Sequence, residues 1–247
     1  MRASQARTMA VMAVALLLAA SASWAQEALT ATLQPTGMVQ VSRGDVELAV
    51  IELNAHGPGW QHASQASAAA GFSDLPDRAG TQFVGSLPVP NTEGGAIQYT
   101  ETVTPLPQGL KLEYDLTMTQ AMRLNGLQLS VNLPVARFGG AEVMISQPHG
   151  EPEIAGLPEE QQEGRVQVWS GQGSLIEAAK GTDEAVTIEL RAATDVVVQD
   201  LRQWDNAVFE IRFPAIMEDQ GREVAAGDRF HLDLTVSFAA PVQLSGP

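Results

Sequence analysis

The segment NAHGPGWQH (Asn54–His62) holds two of the chain's four histidines and one of its four tryptophans. An indole stacks on the apolar face of a sugar ring, and imidazoles form hydrogen bonds with sugar hydroxyls. His56, Trp60 and His62 are therefore candidate ligand-binding residues. Two imidazoles could also bind a metal ion, but their wide spacing in a loop is not a recognised ligand pattern. We therefore expect no metal site here.

The middle of this segment, Gly57–Gly59, places a proline between two glycines, which excludes a regular helix and favours a tight turn. We expect the segment to leave the edge of the fold and to cover one end or one face of it. We favour an arrangement in which Trp60 is a plug, buried among apolar strand residues. The alternative is an open Trp60 beside Trp169 or His231, where it would form one wall of a glycan site.

A second tryptophan, Trp169, is also a candidate ligand-binding residue. In the segment RVQVWSG it projects from the face opposite Val166 and Val168, which is the polar face of a predicted strand. An indole there is either a stacking platform for a sugar or is covered by a neighbouring loop. Trp204, by contrast, is expected to pack at the start of a strand.

The last predicted strands carry several ionisable side chains on their polar faces. Glu210 and Arg212 lie in VFEIRF, and His231 and Asp233 lie in FHLDLTVSF. If these strands are neighbours, the four side chains share one surface and could perform acid–base chemistry or bind hydroxyls. They are weak catalytic candidates, because cross-strand ion pairs on a solvated sheet are the simpler interpretation.

Hydrophobic residues alternate with polar residues along most of the chain, as in LKLEYDLTM and LQLSVNL. This period of two is typical of antiparallel strands with one buried face. It predicts an all-β fold, an antiparallel two-sheet β-sandwich of roughly a dozen strands with little helix. Gln128 is expected on a solvated face. The residues expected to be buried are Leu112, Tyr114, Leu116, Leu129, Val131, Ile188, Ile211, Leu232 and Leu234.

Helix is expected only as a turn or two near Ala63–Gly71 and Leu157–Gly164. The range Asn54–Gly80 is the longest stretch without strand character, and a loop of that length in a compact domain usually has a function.

The first 25 residues are typical of a signal peptide. Arg2 and Arg7 precede the apolar segment 9–20, and Ser23 and Ala25 fit a cleavage site after residue 25. The apolar segment is too short to span a membrane. We therefore expect an exported protein, periplasmic or extracellular, with one β-sandwich domain over residues 26–247.

The chain is strongly acidic, with a formal net charge of −15. Loss of the two leader arginines changes this to −15 − 2 = −17, which disfavours nucleic acid and anionic lipid as partners. Ca²⁺ is conceivable at the glutamates of 150–164, although a solvated loop is favoured and no cofactor is expected. The absence of cysteine excludes disulfides and thiol chemistry.

Two stretches resemble a known group of proteins. The segments GLKLEYDLTMTQAMRLNGLQLSVNLPVARFGG (109–140) and AGDRFHLDLTVSF (226–238) resemble β-sandwich modules of secreted bacterial carbohydrate-active proteins. The galactose-mutarotase-like sandwich class has the same strand pattern. The resemblance implies a fold and a class of substrate, and it assigns no active-site residue.

These observations favour a secreted, non-catalytic β-sandwich that binds a glycan or assists glycan processing. The first alternative is a glycan-active enzyme, such as a lyase, an epimerase or a hydrolase, which needs only a histidine and carboxylates on a sheet face. The second alternative is an envelope scaffold that contacts another protein through an exposed apolar patch.

Overall fold

The computed structural model describes residues 28–77 and 79–247, so the predicted signal peptide lies outside the described residues. The described chain forms sixteen strands. Their bounds are β1 (Leu29–Leu33), β2 (Val39–Arg43), β3 (Val46–Gly57), β4 (Gln61–Ser64), β5 (Ala69–Asp74), β6 (Thr81–Pro88), β7 (Ala96–Leu106), β8 (Gly109–Met118), β9 (Met122–Pro134), β10 (Glu142–Ser146), β11 (Glu153–Gly156), β12 (Gln167–Ala178), β13 (Val186–Asp200), β14 (Val208–Val224), β15 (Arg229–Phe238) and β16 (Val242–Ser245).

The strands belong to one curled sheet whose main order is β16-β1-β2-β3-β9-β14-β13-β15-β8-β7-β6-β5. The remaining strands lie beside this path: β4 pairs with β3, and β12 pairs with β13. β10 lies between β11 and β12 and pairs with both. Among the described strands, β1 and β16 pair in parallel and every other pair is antiparallel. The predicted all-β fold is confirmed, with more strands than expected.

The sheet folds over so that its two halves share one core. Tyr99 of β7 donates a hydrogen bond to the carbonyl of Thr36, between β1 and β2, with an O–O distance of 2.7 Å. Gln65, which follows β4, donates through Nε2 to Glu101 of β7 at 2.7 Å. β7 and its neighbours therefore pack over β1–β3, which gives the two layers of a sandwich.

The predicted core is buried with one exception. Of the residues expected to be buried, all except Leu232 are at most 1% exposed. Leu232 is only partly buried. β13 pairs with β15 only from Thr235 to Phe238, so the first half of β15 has no neighbour on that side. Leu232 lies in that open half, which explains its exposure.

The difference between the two leucines of β15 predicts unequal stability losses. Leu234→Ala should lower the free energy of unfolding by roughly 2–5 kcal/mol, because Leu234 is 1% exposed. Leu232→Ala should cost only about 1–2 kcal/mol, because part of that side chain is already in water. Urea unfolding of both variants measures the difference. Equal losses would contradict this account of the β13–β15 pairing.

The expectation of a solvated Gln128 is wrong. Gln128 is 2% exposed and Ser130, on the same face of β9, is 0% exposed. β9 lies between β3 and β14, and its polar face is covered as well as its apolar face. Gln128 therefore belongs to a buried polar face of β9.

The range Asn54–Gly80 contains strands β4 and β5, so the prediction of a long stretch without strands is also wrong. The helical turn expected near Ala63–Gly71 is a 3₁₀ turn at Gln65–Ser67, capped by Ser64. Residues 157–164 form no helix. Short helical turns lie instead at Val135–Phe138 and Leu201–Trp204. Within 28–77 and 79–247, the helices are too short to cross a membrane.

Candidate functional site

A cavity of about 630 Å³, here called the sheet cavity, opens on the polar face of β3, β9, β14 and β13. Its floor is built by strand register, since Asn132 of β9 pairs with Glu210 of β14, which pairs with Gln199 of β13. The floor residues are Glu52, Asn54, His56, Asn132, Gln199, Glu210 and Arg212. The wall residues are Trp60, His62, Leu201, Trp204, Asn206, Met217 and Asp219.

The first wall is the hairpin of β3 and β4, whose turn is Pro58–Trp60. Gly59 (φ 76°) and Trp60 (φ 58°) both adopt left-handed conformations, and Asn91 Nδ2 donates to the Pro58 carbonyl at 3.1 Å. This turn brings the Trp60 ring to 5.4 Å from His56, edge to face. Trp60 is therefore half-buried at the cavity and is not a plug in the apolar core.

The hairpin also places both predicted histidines at the cavity. His56 and His62 are paired across β3 and β4, with ring centroids 5.2 Å apart. His62 Nε2 is hydrogen bonded to Asn54 Oδ1 at 2.9 Å. Burial, followed by the charge of Arg212, lowers the pKa of His56 to about 3, so its imidazole is neutral at physiological pH.

The second wall carries Trp204, whose side chain is 57% exposed at the end of the Leu201–Trp204 turn. Asp200 caps this turn and accepts hydrogen bonds from the backbone and side chain of Arg202. The Arg202 guanidinium also donates to the carbonyls of Pro158 and Glu159, and it lies 5.5 Å from the centroid of the Phe209 ring. Burial alone would raise the pKa of Asp200, but the hydrogen bonds from Arg202 bring it below its ordinary value. Trp204 is thus held at the rim by a fixed turn.

Hydrogen bonds organise the two carboxylates of the floor. Glu210 is buried and accepts from Ser130 Oγ at 2.6 Å and from Arg212 Nε at 2.6 Å, one bond at each oxygen. Glu52 accepts from Asn132 Nδ2 at 3.0 Å and from the hydroxyl of Ser64. Both carboxylates are therefore held in place before any ligand arrives.

Among the described residues, His56 Nδ1 of the floor lacks a hydrogen-bond partner, and so do two buried oxygen acceptors. The two acceptors are Asn132 Oδ1 and Gln199 Oε1, and each of these residues is 9% exposed. Because the Asn132 amide nitrogen donates to a carboxylate, which only accepts, the orientation of that amide is determined. The floor therefore offers oxygen acceptors that protein donors do not use.

The described residues include no group of three or more His, Asp or Glu side chains suited to a metal ion. Glu153 belongs to the acidic segment 150–164, and it accepts a hydrogen bond from Trp169 Nε1 at 2.8 Å.

Trp169 lies away from the sheet cavity. It pairs with Val198 of β13, which faces the core, whereas the neighbouring Gln199 faces the cavity. The Trp169 ring is partly buried against the core and covers Gly171, where a Cβ atom would lie 2.7 Å from the indole. Trp60 and Trp169 therefore do not form one site, and the second tryptophan of the cavity is Trp204.

The four ionisable residues of the last strands do not share one surface. Glu210 and Arg212 line the cavity, whereas His231 on β15 is exposed and bonded to Asp115 of β8 at 2.9 Å. Asp233, the next outward residue of β15, pairs with Glu113 of β8. β13 separates β14 from β15 and contacts them through its opposite ends, so the expected shared surface does not form.

Sequence reasoning missed several cavity residues: Glu52, Asn54, Asn132, Gln199, Trp204, Asn206 and Asp219. One pattern could have revealed part of the floor. Asn is disfavoured in strands, yet Asn54 and Asn132 occupy polar positions of β3 and β9. Asparagines in otherwise regular strands indicate a polar face that is buried and used for hydrogen bonding.

No family model matches the chain, and no curated protein matches it. Its fold is similar to that of solved structures. A galactose mutarotase-like protein from Lactobacillus casei ATCC 334 aligns with a TM-score of 0.50 and 11% identity, over 82% of this chain and 94% of that chain. An aldose 1-epimerase candidate from Escherichia coli K12 aligns with a TM-score of 0.49 and 7% identity, over 85% and 97%. The first likeness confirms the predicted resemblance to the galactose-mutarotase-like sandwich class.

Proposed function

We propose that this protein is an exported, non-catalytic carbohydrate-binding β-sandwich, and that the sheet cavity holds the sugar. The observation that carries the proposal is the placement of Trp60 and Trp204 on two sides of a polar floor. Indole faces stack on sugar rings, while the amides and carboxylates of the floor match sugar hydroxyls. The cavity volume of about 630 Å³ suits a small ligand.

The bonding of the floor favours binding over catalysis. A general base needs a lone pair directed at the substrate, and protein donors, one of them the Arg212 guanidinium, already occupy one lone pair on each oxygen of Glu210. The His56 pKa of about 3 leaves its imidazole uncharged near neutral pH, so His56 cannot act as an imidazolium acid.

The exposed apolar residues also support a sugar ligand over a protein-docking scaffold. The large hydrophobic side chains that are exposed in the described chain are Val46, Phe72, Val84, Ile154, Trp204 and Met217. Trp204 and Met217 line the sheet cavity, and the others come from β3, β5, β6 and β11. A scaffold would instead need a contiguous apolar patch.

An aldose epimerase is the second candidate function. The Lactobacillus casei structure is described as galactose mutarotase-like, and the cavity of this chain holds two histidines and three carboxylates. Polarimetry of freshly dissolved α-D-galactose and α-D-glucose distinguishes the candidates. A rate of mutarotation above that of buffer would favour the enzyme, and an unchanged rate is expected for the binding protein.

The tryptophan walls make a direct prediction. Trp60→Ala and Trp204→Ala should each weaken glycan binding roughly tenfold, because a lost sugar–aromatic contact is worth about 1 kcal/mol or more. Affinity electrophoresis through a panel of neutral, acidic and amino polysaccharides identifies the ligand, and calorimetry with its oligosaccharides measures the loss.

Trp169→Phe is the matched control, because Trp169 lies outside the sheet cavity and should leave affinity unchanged. If the wild-type protein is retarded by no glycan in the panel, the proposed function is wrong. If Trp169→Phe is as damaging as the cavity variants, the sheet cavity is not the binding site.

A further inference from the structure

We infer that the sugar bound in the sheet cavity is an amino sugar, whose ammonium group is held by Glu52 and by the adjoining amide oxygen of Asn132. This inference rests on the proposed glycan-binding function and deepens it by naming a substrate class. Three properties of the cavity support it: its charge, its unused acceptors and its aromatic walls.

The charge of the sheet cavity is unbalanced. Glu52, Glu210 and Asp219 are acidic, and Arg212 is the one arginine or lysine among the lining residues that the structure describes. Of the two histidines of the cavity, His56 is neutral and His62 is hydrogen bonded to Asn54 Oδ1. Arg212 is already bound to Glu210, with NH2 at 2.6 Å from Oε2. Within the described chain, Glu52 and Asp219 form no salt bridge. A ligand that carries a positive charge corrects this imbalance.

Apart from His56 Nδ1, the buried floor atoms that lack a partner in the described structure are oxygen acceptors. Glu52 receives only neutral donors, the Asn132 amide and the Ser64 hydroxyl. Asn132 Oδ1 and Gln199 Oε1 are buried and unpartnered in the described structure. Asn132 on β9 and Gln199 on β13 are the residues paired with Glu210 of β14 on its two neighbouring strands. Buried acceptors without donors are unfavourable, so the site favours a ligand rich in donors.

An ammonium group meets both requirements, because it carries a positive charge and three N–H donors and has no acceptor. A sugar hydroxyl brings one donor and leaves the negative charge unbalanced. A uronate or sulfate adds a like charge to the cavity. Trp60 and Trp204 add a cation–π attraction for an ammonium-bearing sugar that a neutral sugar lacks. The expected order of affinity is therefore amino sugar, then neutral sugar, then acidic sugar.

The test is calorimetry at pH 6 and low salt with glucosamine oligosaccharides and their N-acetylated counterparts of equal length. The deacetylated series should bind about tenfold tighter or more, since the acetyl group removes the charge. Oligogalacturonides should bind most weakly. Glu52→Gln should reduce the preference for the free amine to below about threefold.

Glu113→Gln is the matched control, because it removes the same charge from the other layer, where Glu113 pairs with Lys111. It should leave the preference unchanged. Spermidine, a cation without a sugar ring, tests attraction by charge alone and should bind much more weakly than the glucosamine series.

Two sets of results would overturn the inference. Equal or tighter binding of the N-acetylated series shows that the ligand is neutral, while the proposed glycan-binding function stands. Equal binding of spermidine, or equal loss in Glu113→Gln and Glu52→Gln, shows that only the net charge is sensed. If none of these oligosaccharides binds but a polysaccharide of the panel retards the protein, the inference fails and the proposed function stands. If the panel also gives no retardation, both fail.

Discussion

A Glu101→Gln variant is expected to be more stable than the wild-type protein at pH 9 and about equally stable at pH 4. Glu101 lies on β7 in the core and is 0% exposed. Gln65 Nε2 donates to one of its oxygens at 2.7 Å, and its other oxygen has no partner among the described residues. Burial raises the pKa of Glu101 from 4.5 to about 8.

The sign of the effect follows from that pKa. Between pH 4.5 and pH 8 the folded protein keeps a proton that the unfolded chain releases. The stability linked to Glu101 is therefore complete below pH 4.5 and is lost as the pH rises through 8. Glutamine has nearly the same shape and never ionises, so the variant escapes this loss. The gain at pH 9 should be roughly 3–5 kcal/mol.

Urea unfolding of the wild type and of Glu101→Gln at pH 4, 7 and 9 measures the effect. The difference between the two unfolding midpoints should widen as the pH rises. Glu113→Gln, which changes a half-exposed glutamate of β8, should show no such gap. Parallel curves for the wild type and Glu101→Gln would mean that the buried carboxylate is neutralised by a group not yet identified.

Glu210→Ala is expected to destabilise the protein by roughly 3–5 kcal/mol, because it leaves the Arg212 guanidinium buried without its partner. The side chains of this pair are only 4% and 12% exposed. The same change also removes the acceptor of the Ser130 hydroxyl.

The matched control is Glu223→Ala, which breaks an ion pair with Arg123 whose side chains are 68% and 52% exposed. Exposed pairs contribute little, so the loss should stay under about 1 kcal/mol. Thermal or urea unfolding compares the two variants. Similar losses would show that the pair on the cavity floor is as well solvated as the surface pair.

The fold could be predicted from local pattern because a period of two is a property of each strand by itself. Leu112 and Tyr114 alternate with charged residues, and they are buried as expected. Gln128 shows the limit of the same argument, because alternation separates two faces and does not say what covers the polar one. β4 and β5 were missed because their strands are short and lack that alternation.

The candidate site could be predicted only where its residues are close in the chain. His56, Trp60 and His62 belong to one hairpin, and their segment was recognisable as a unit. Asn132, Glu210 and Gln199 meet through strand pairing across distant parts of the chain. That register depends on the packing of the whole sheet, so no local pattern could have joined these three residues.

The position of β9 has a consequence for how a ligand is received. β9 is hydrogen bonded on both edges, and both of its faces are covered. Local opening is hardest where backbone hydrogen bonds and side chains are buried together. The floor therefore loses little conformational entropy when a ligand binds, whereas the exposed side chain of Trp204, on its fixed turn, has more rotamer freedom to lose. Recognition by this protein thus combines a rigid template beneath the ligand with an adjustable rim beside it.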